Sequence, residues 1–307
     1  MVSGKTVKRR KALSSDEKSW LLLLIVPVAY IIIFRYLAMY GVVIAFQKFI
    51  PAKGLFGNQR WIGLDNFRYV FNLSNVWRAI GNTLSISVWK VLLGLLVPVC
   101  VALMLNEVRN QVFKRSVQTV IYLPHFISWV ILSGIFVDLL STTGIVNKFL
   151  SMLGIEPIFF LGSNKYFRGT LIATDIWKGF GYSSIIYLSA ITGIDPQLYE
   201  SAHIDGAGRF RCMWHITLPG IAGTIALMGV LSIGNLLNAG FDQILNLYSP
   251  QVYETGDIID TFVYRFGLLE AKYGPSQAVS LAKSLISSTL TVIAYWLAYR
   301  YAGYSLF

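Results

Sequence analysis

The sequence predicts an all-α membrane protein of six transmembrane helices with both termini cytoplasmic, on three observations. Hydrophobic residues make up 55% of the 307-residue chain and charged residues only 13%, with a mean hydropathy of +0.59, a balance foreign to soluble domains. Six apolar segments match the ~20 residues that a helix needs to cross a bilayer core: Trp20–Phe46, Thr83–Leu105, Ile121–Leu140, Thr170–Ile191, Gly220–Ala239 and Ala278–Tyr301. Basic residues are densest before the first segment (Lys5, Lys8, Arg9, Arg10, Lys11, Lys18) and in the short second connection (Arg109, Lys114, Arg115), which puts both in the cytoplasm.

In chain order, residues 1–18 read as a basic cytoplasmic tail, and 19–307 as one transmembrane domain without an accessory domain. The first apolar run is too long for a signal peptide and lacks a small-residue cleavage site, so an uncleaved anchor is expected. Gly4-Lys5-Thr6 resembles the end of a phosphate-binding loop, but without the upstream glycine, strand and helix it predicts no nucleotide site. Arg35, toward the outer end of the first span, is expected to snorkel to the interface. The following loop carries Lys48, Lys53, Arg60, Arg68 and Arg78, so the positive bias is one of density and not of count. Its aromatic residues Trp61, Phe67, Tyr69, Phe71 and Trp77 suit either a membrane-surface belt or the landing surface of an external protein. The second external loop, Ser141 to Gly169, reads as a folded-back surface segment, and the third as an acidic one, with Asp242, Glu254, Asp257, Asp260 and Glu270 against Arg265 and Lys272. That loop either meets a positive partner or is simply solvated.

Several function classes fall away. The net charge of +11 does not mean nucleic acid, because the aromatics lie in apolar spans and not between the basic residues. Cys100 and Cys212 have neither metal nor disulfide spacing. The three histidines supply no catalytic or metal constellation, so neither an enzyme nor a bound cofactor is expected. His125, near a helix end with no carboxylate at helical spacing, is expected to be hydrogen-bonded and not a proton relay.

Charges inside spans point to a translocation path, because an ion in hydrocarbon is costly unless paired or facing water. Asp175 and Lys178 lie three residues apart on one face and can neutralise each other, as a structural pair or as part of a path. Asn235, Asn238 and Asp242 follow at helical spacing and either bond a neighbouring helix or line a cavity for a hydroxylated solute. Asp138, Lys90 and Lys283 are weaker candidates.

The most specific signal is the connection after the fourth span, residues 195–219. Asp195 is placed to cap a helix and Pro196 to open it. Gly206 suits the positive φ that ends a helix, a second helix should start near Arg209, and Pro219 should break it and redirect the chain into the membrane. Glu200, Ala202, Gly206, Ile216, Leu218 and Pro219 fall in register with the cytoplasmic EAA loop of ABC-transporter permease subunits, and Ser201 stands where that pattern has its first alanine. The blocks FRYLAMYGVVIAF, ALMLNEVRN, VQTVIYLPHFISW, DIWKGFGYSSIIYL and DIIDTFVY extend the resemblance over nearly the whole chain, to the polysaccharide and complex-oligosaccharide branch of the carbohydrate-uptake permeases.

The resemblance implies an ABC importer permease fold in the bacterial plasma membrane, with a coupling loop that includes Glu200, Ser201, Ala202, Asp205, Gly206, Ala207, Ile216, Leu218 and Pro219. It also implies a second homologous permease, two ATPase subunits that bind ATP and magnesium, an extracellular solute-binding lipoprotein, and an oligosaccharide as cargo. The rival class is a secondary transporter or channel for a polar solute, disfavoured because the two halves show no clear repeat and no ion-coupling cluster.

Overall fold

A computed structural model describes residues 15–302; the basic residues from Lys5 to Lys11 fall outside them. The first apolar run forms α1 (Ser15–Ile31), a π-helical stretch with Arg35 (Ile32–Leu37), and a 3-10 stretch (Tyr40–Phe46). Between Trp20 and Tyr40 only Ala29 is less than exposed. The apolar surface of α1 is therefore offered to lipid or to another subunit.

A two-stranded antiparallel hairpin follows, β1 (Gln47–Lys48) with β2 (Arg60–Trp61), in the register Gln47 to Trp61. After α2 (Asp65–Phe71), α3 (Ser74–Glu107) starts nine residues before the predicted span and runs 34 residues, ~50 Å at 1.5 Å per residue. It is the axis of the molecule. Beside it, in the same direction, lies α7 (Asn164–Thr192). Ile86 meets Phe167 and Leu171 at one end of the pair; Val99 and Ala102 meet Tyr187 and Ile191 at the other.

The expected third span is not one helix. Helix α4 (Gln111–Tyr122), capped by Asn110 through the Val112 and Phe113 amides, gives way to a 3-10 turn over Leu123–Phe126. Helix α5 (Trp129–Leu139) then leaves at 105°. Pro124 cannot donate to a continuing helix, and the Ser128 hydroxyl accepts from the Ile131 amide to start a new one. The segment from Ser141 to Gly169 is folded back on itself. It contains α6 (Ile145–Met152), where the Asn147 side chain donates to Ser141 O and Ile158 O and accepts from the Ile158 amide.

The chain continues through α8 (Pro196–Ile204), α9 (Arg209–Cys212), a π stretch (Met213–Thr217), α10 (Leu218–Gly220) and α11 (Ala222–Gly234). The segment 240–272 is not a solvated loop. It folds as α12 (Phe241–Leu247), α13 (Tyr253–Gly256) and α14 (Ile259–Tyr264) before α15 (Tyr273–Ala302). Its acids are largely spent internally: Asp257 pairs with Arg265 at 2.6 Å, Asp260 with Lys283 at 2.5 Å and Glu270 with Lys272 at 3.1 Å. Burial works against the Arg265 charge, but the hydrogen bonds it donates to Asp257 and its attraction to that carboxylate outweigh burial and push its pKa up. Asn82 of α3 stitches this layer down, donating to Glu254 O and Asp257 O at 3.0 Å. Ala45, Val70, Val76, Ala79, Phe262, Phe266 and Ala278 pack into one core at this end, opposite the α8–α9 connection.

Among the described residues, Trp20–Phe46, Ser74–Glu107 and Tyr273–Arg300 each suffice by length and composition to cross a membrane, and two bent helix pairs raise the count to as many as five if each pair is one span. Helix α7, with Asp175 and Lys178 inside it, is long enough but more polar.

Candidate functional site: a coupling loop and a polar cavity

The α8–α9 connection is built by local rules. Asp195 accepts from the Gln197 amide at 3.0 Å, and Pro196 occupies the first turn. At the other end Gly206 has φ +78°; its amide donates to His203 O at 3.1 Å, and the Ala207 amide to Ala202 O at 2.8 Å. That pair of bonds is a Schellman closure, in which the C′ residue must be left-handed and the C3 and C″ side chains face each other. Ala202 and Ala207 hold those last two places, so the alanine and glycine of the motif fix one turn of backbone. The Ser201 hydroxyl donates to Gln197 O at 2.8 Å; it is satisfied within its own helix and presents no free donor.

Tyr199 and Thr217 lock the two arms of the connection, their hydroxyls 2.9 Å apart. Sequence reasoning missed this contact, which lies between motif positions. Arg209 reaches Glu107 at the end of α3, at 4.0 Å. The second arm bends by 54° into α11, as Pro219 predicts, although the break falls at Ile221, with the π stretch absorbing the missing proline amide. Ile221 is buried against Val99, Ala102, Tyr187 and Ile191, which ties the base of the connection to α3 and α7. Its outer surface is left uncovered: Leu198 is 53%, Ile204 87% and Phe210 76% exposed. Glu200 is exposed and has no ion pair among the described residues.

The charged residues of the spans are arranged differently from expectation. Asp175 does not pair with Lys178. It lies 3.2 Å from Lys90 of α3, whose buried ammonium also donates to Ala239 O at 2.8 Å and to Gln243 Oε1. A lysine has three donors, and here all three are used. Gln243 in turn donates to Leu171 O at 2.7 Å and Thr174 Oγ1 at 2.8 Å. Lys178 instead lies 5.1 Å from the Trp129 ring centroid. His125 is held by stacking on Tyr182, with ring centroids 3.9 Å apart and planes within 4°, in place of the expected hydrogen bond.

The Asn235, Asn238, Asp242 stripe is also interrupted. Helix α11 stops at Gly234, and Gly240, at φ +93°, turns the chain before α12. A side chain at Gly240 would be left-handed and would meet Lys90 Nζ at 3.0 Å. Asn235 and Asn238 nevertheless converge. Both line a cavity of ≈ 640 Å³ with Phe241, Asp260, Tyr264, Lys283 and Ser287. Both also border a second, of ≈ 290 Å³, with Lys90, Asp175, Ser232 and Gly240. Asp242 is exposed on α12 and borders neither cavity. Asp138 is exposed as well. Lys90 and Lys283, weak candidates from sequence, each stand on a cavity wall in a close pair with a carboxylate.

Over residues 90–302 the chain matches the model of the "Binding-protein-dependent transport system inner membrane component" family. It is 40% identical to Protein LplB of Bacillus subtilis (strain 168), over 100% of this chain and 96% of that one. To the polygalacturonan/rhamnogalacturonan transport system permease protein YteP of the same organism it is 39% identical, over 98% and 94%. It also resembles a chain of a bacterial alginate ABC transporter, solved in complex with an alginate pentasaccharide-bound periplasmic protein, with a TM-score of 0.84 and 38% identity over 94% of this chain and 98% of that one. The chain belongs to the family of binding-protein-dependent transport system inner membrane components.

Proposed function

We propose that the chain is one permease subunit of an ATP-driven bacterial importer of oligosaccharides cut from larger polysaccharides. In this reading it works with a second, homologous permease, two ATPase subunits that carry ATP and magnesium, and an external solute-binding protein. It crosses the membrane six times, with both ends and the α8–α9 connection in the cytoplasm. The observation that carries the proposal is the connection itself: a rigid, capped helix whose Leu198, Glu200 and Ile204 are exposed, while its base is packed into α3 and α7. Such an element passes motion from a docked partner to the spans, and an ATPase groove is the partner the motif implies.

The cargo path runs, in this proposal, along Asp175, Lys178, Asn235 and Asn238. Exposed amides bond sugar hydroxyls without preference for charge, and aromatic faces such as Tyr182 and Trp129 suit the apolar faces of sugar rings. Asn235→Leu and Asn238→Leu are expected to narrow or abolish oligosaccharide uptake while ATPase copurification stays normal. Unchanged uptake of every oligosaccharide tested, by both variants, would leave the two amides as packing groups only.

The experiment that tests the whole reading is affinity purification of the full chain in mild detergent, followed by mass spectrometry and by uptake in proteoliposomes. The expected result is a second permease and an ATPase in comparable amount, with oligosaccharide uptake that requires ATP and binding protein. Recovery of this chain alone, with solute flux that needs no ATP, would mean a channel or secondary transporter.

A further inference from the structure

The face of the α3–α7 pair turned away from the polar cavities has its own groove, of ≈ 500 Å³, whose lining includes Trp89 and Leu93 of α3 and Lys165, Arg168, Ile172 and Ala173 of α7. On α3, Ser87, Lys90 and Gly94 border the polar cavity, whereas Val88, Trp89, Leu92 and Leu96 are 38%, 53%, 52% and 59% exposed. That spacing of three and four residues is one continuous apolar helix face. Trp89 and the groove therefore sit at the edge of an exposed apolar helix face.

The groove is graded along its length. Lys165 and Arg168 lie in the first turns of α7, at the end opposite the α8–α9 connection, and Ile172 and Ala173 follow ~6–12 Å further along the helix. Neither cation is in an ion pair among the described residues. Lys165 Nζ rests 5.2 Å from the Tyr166 ring centroid. Arg168 donates through Nη2 to Asn82 Oδ1 at 2.9 Å, and its Nε is buried without a protein acceptor. Glu254, the nearby acid, accepts from Asn164 at 3.5 Å. Two cations at one end of the groove, a tryptophan beside them and an apolar floor beyond form a site complementary to an anionic amphiphile.

We infer that this groove is a site for an anionic phospholipid of the leaflet opposite the coupling connection, its phosphate between Lys165 and Arg168 and an acyl chain over Leu93, Ile172 and Ala173. The charges select the headgroup and the floor selects the chain. A soluble docking protein is disfavoured because the floor lies within the two spans.

The test uses the purified complex containing the full chain, in nanodiscs of phosphatidylcholine with a minor share of phosphatidylglycerol. Either lipid carries a photoreactive acyl chain in turn, and labelled peptides are mapped. The expected result is labelling around Leu93 and Ile172 that favours phosphatidylglycerol. Lys165→Gln should reduce that preference about fivefold, the value of one cation near an anionic surface, and Ala173→Phe should block labelling by filling the floor. Lys165 lies outside the loop and cavities, so uptake by Lys165→Gln serves as the folding control. Equal labelling by both lipids, or labelling unchanged in both variants, would overturn the site. Loss of labelling when solute-binding protein is added would overturn it in favour of a protein contact.

Discussion

Glu200→Lys is expected to abolish oligosaccharide uptake while leaving the amount and thermal stability of the protein in the membrane unchanged. Glu200 is exposed and has no ion pair among the described residues, and surface substitutions of that kind usually change stability by less than about 0.5 kcal/mol. Any loss of transport must then arise from a partner that reads the carboxylate. Gly206→Val reaches the same result by another route. At φ +78° the glycine has open space around the missing side chain, so the substitution clashes with nothing and acts on backbone conformation alone. A left-handed L-residue costs about 1–2 kcal/mol, more when β-branched, and the two closing bonds from the Gly206 and Ala207 amides hold only in that conformation. A penalty of that size shifts the closed turn roughly tenfold. Gly206→Asn, which tolerates the left-handed region, should retain much of the uptake. The checks are immunoblotting of membranes, uptake of labelled oligosaccharide, and ATPase copurification. Normal uptake by both Glu200→Lys and Gly206→Val would remove the docking role of this loop.

The contrast between this loop and the interior shows what a sequence displays. Asp195, Pro196, Gly206 and the restart at Arg209 were legible because caps and left-handed turns are decided within five or six residues. The partner of Asp175 is not legible in the sequence because two carriers of positive charge compete for it. Lys178 is near along the helix, but Lys90 arrives from α3, and which residue of α3 faces α7 depends on helix rotation and register. The asparagine stripe assumed a helix running through Gly240, where the glycine after Asn238 and Ala239 was the available sign of a break. The layer over residues 240–272 reads as a loop in sequence because its folding rests on long-range bonds from Asn82 to Glu254 and Asp257 and from the Ile259 amide to Thr83. Hydrophobic periodicity carries no trace of such contacts. The family, its loop and the cavity-lining asparagines Asn235 and Asn238 are thus readable from local spacing, whereas the partners that complete the cavity wall, Lys90 with Asp175 and Lys283 with Asp260, are not.

Lys90→Met should produce the other large effect, because one ammonium closes three elements of the interior. It joins α3 to Asp175 of α7, to the carbonyl of Ala239 where the chain turns, and to Gln243 of α12. Methionine fills similar volume but leaves a buried carbonyl and a buried amide oxygen short of a donor. Hydrogen bonds to a charged group contribute about 1.5–3 kcal/mol each, and breaking a buried pair costs about 3–5 kcal/mol. The Asp175 side chain is 32% exposed, so water offsets part of that loss and the net effect should fall near 3 kcal/mol. Uptake should disappear together with a fall in melting temperature of the purified complex. Asp175→Asn separates charge from connectivity. An asparagine oxygen still accepts from Lys90, so this variant should keep most of the stability. It also leaves a net positive charge on the wall of the cavity beside Asn235 and Asn238, and should alter the relative uptake of neutral and acidic oligosaccharides. The double variant, Lys90→Met with Asp175→Asn, should recover the part of the loss due to the uncompensated carboxylate, but not the part due to Ala239 and Gln243. If Lys90→Met kept its melting temperature and lost only uptake, the lysine would act on the cargo and not on the frame. If it kept both, the three bonds would have no bearing on transport.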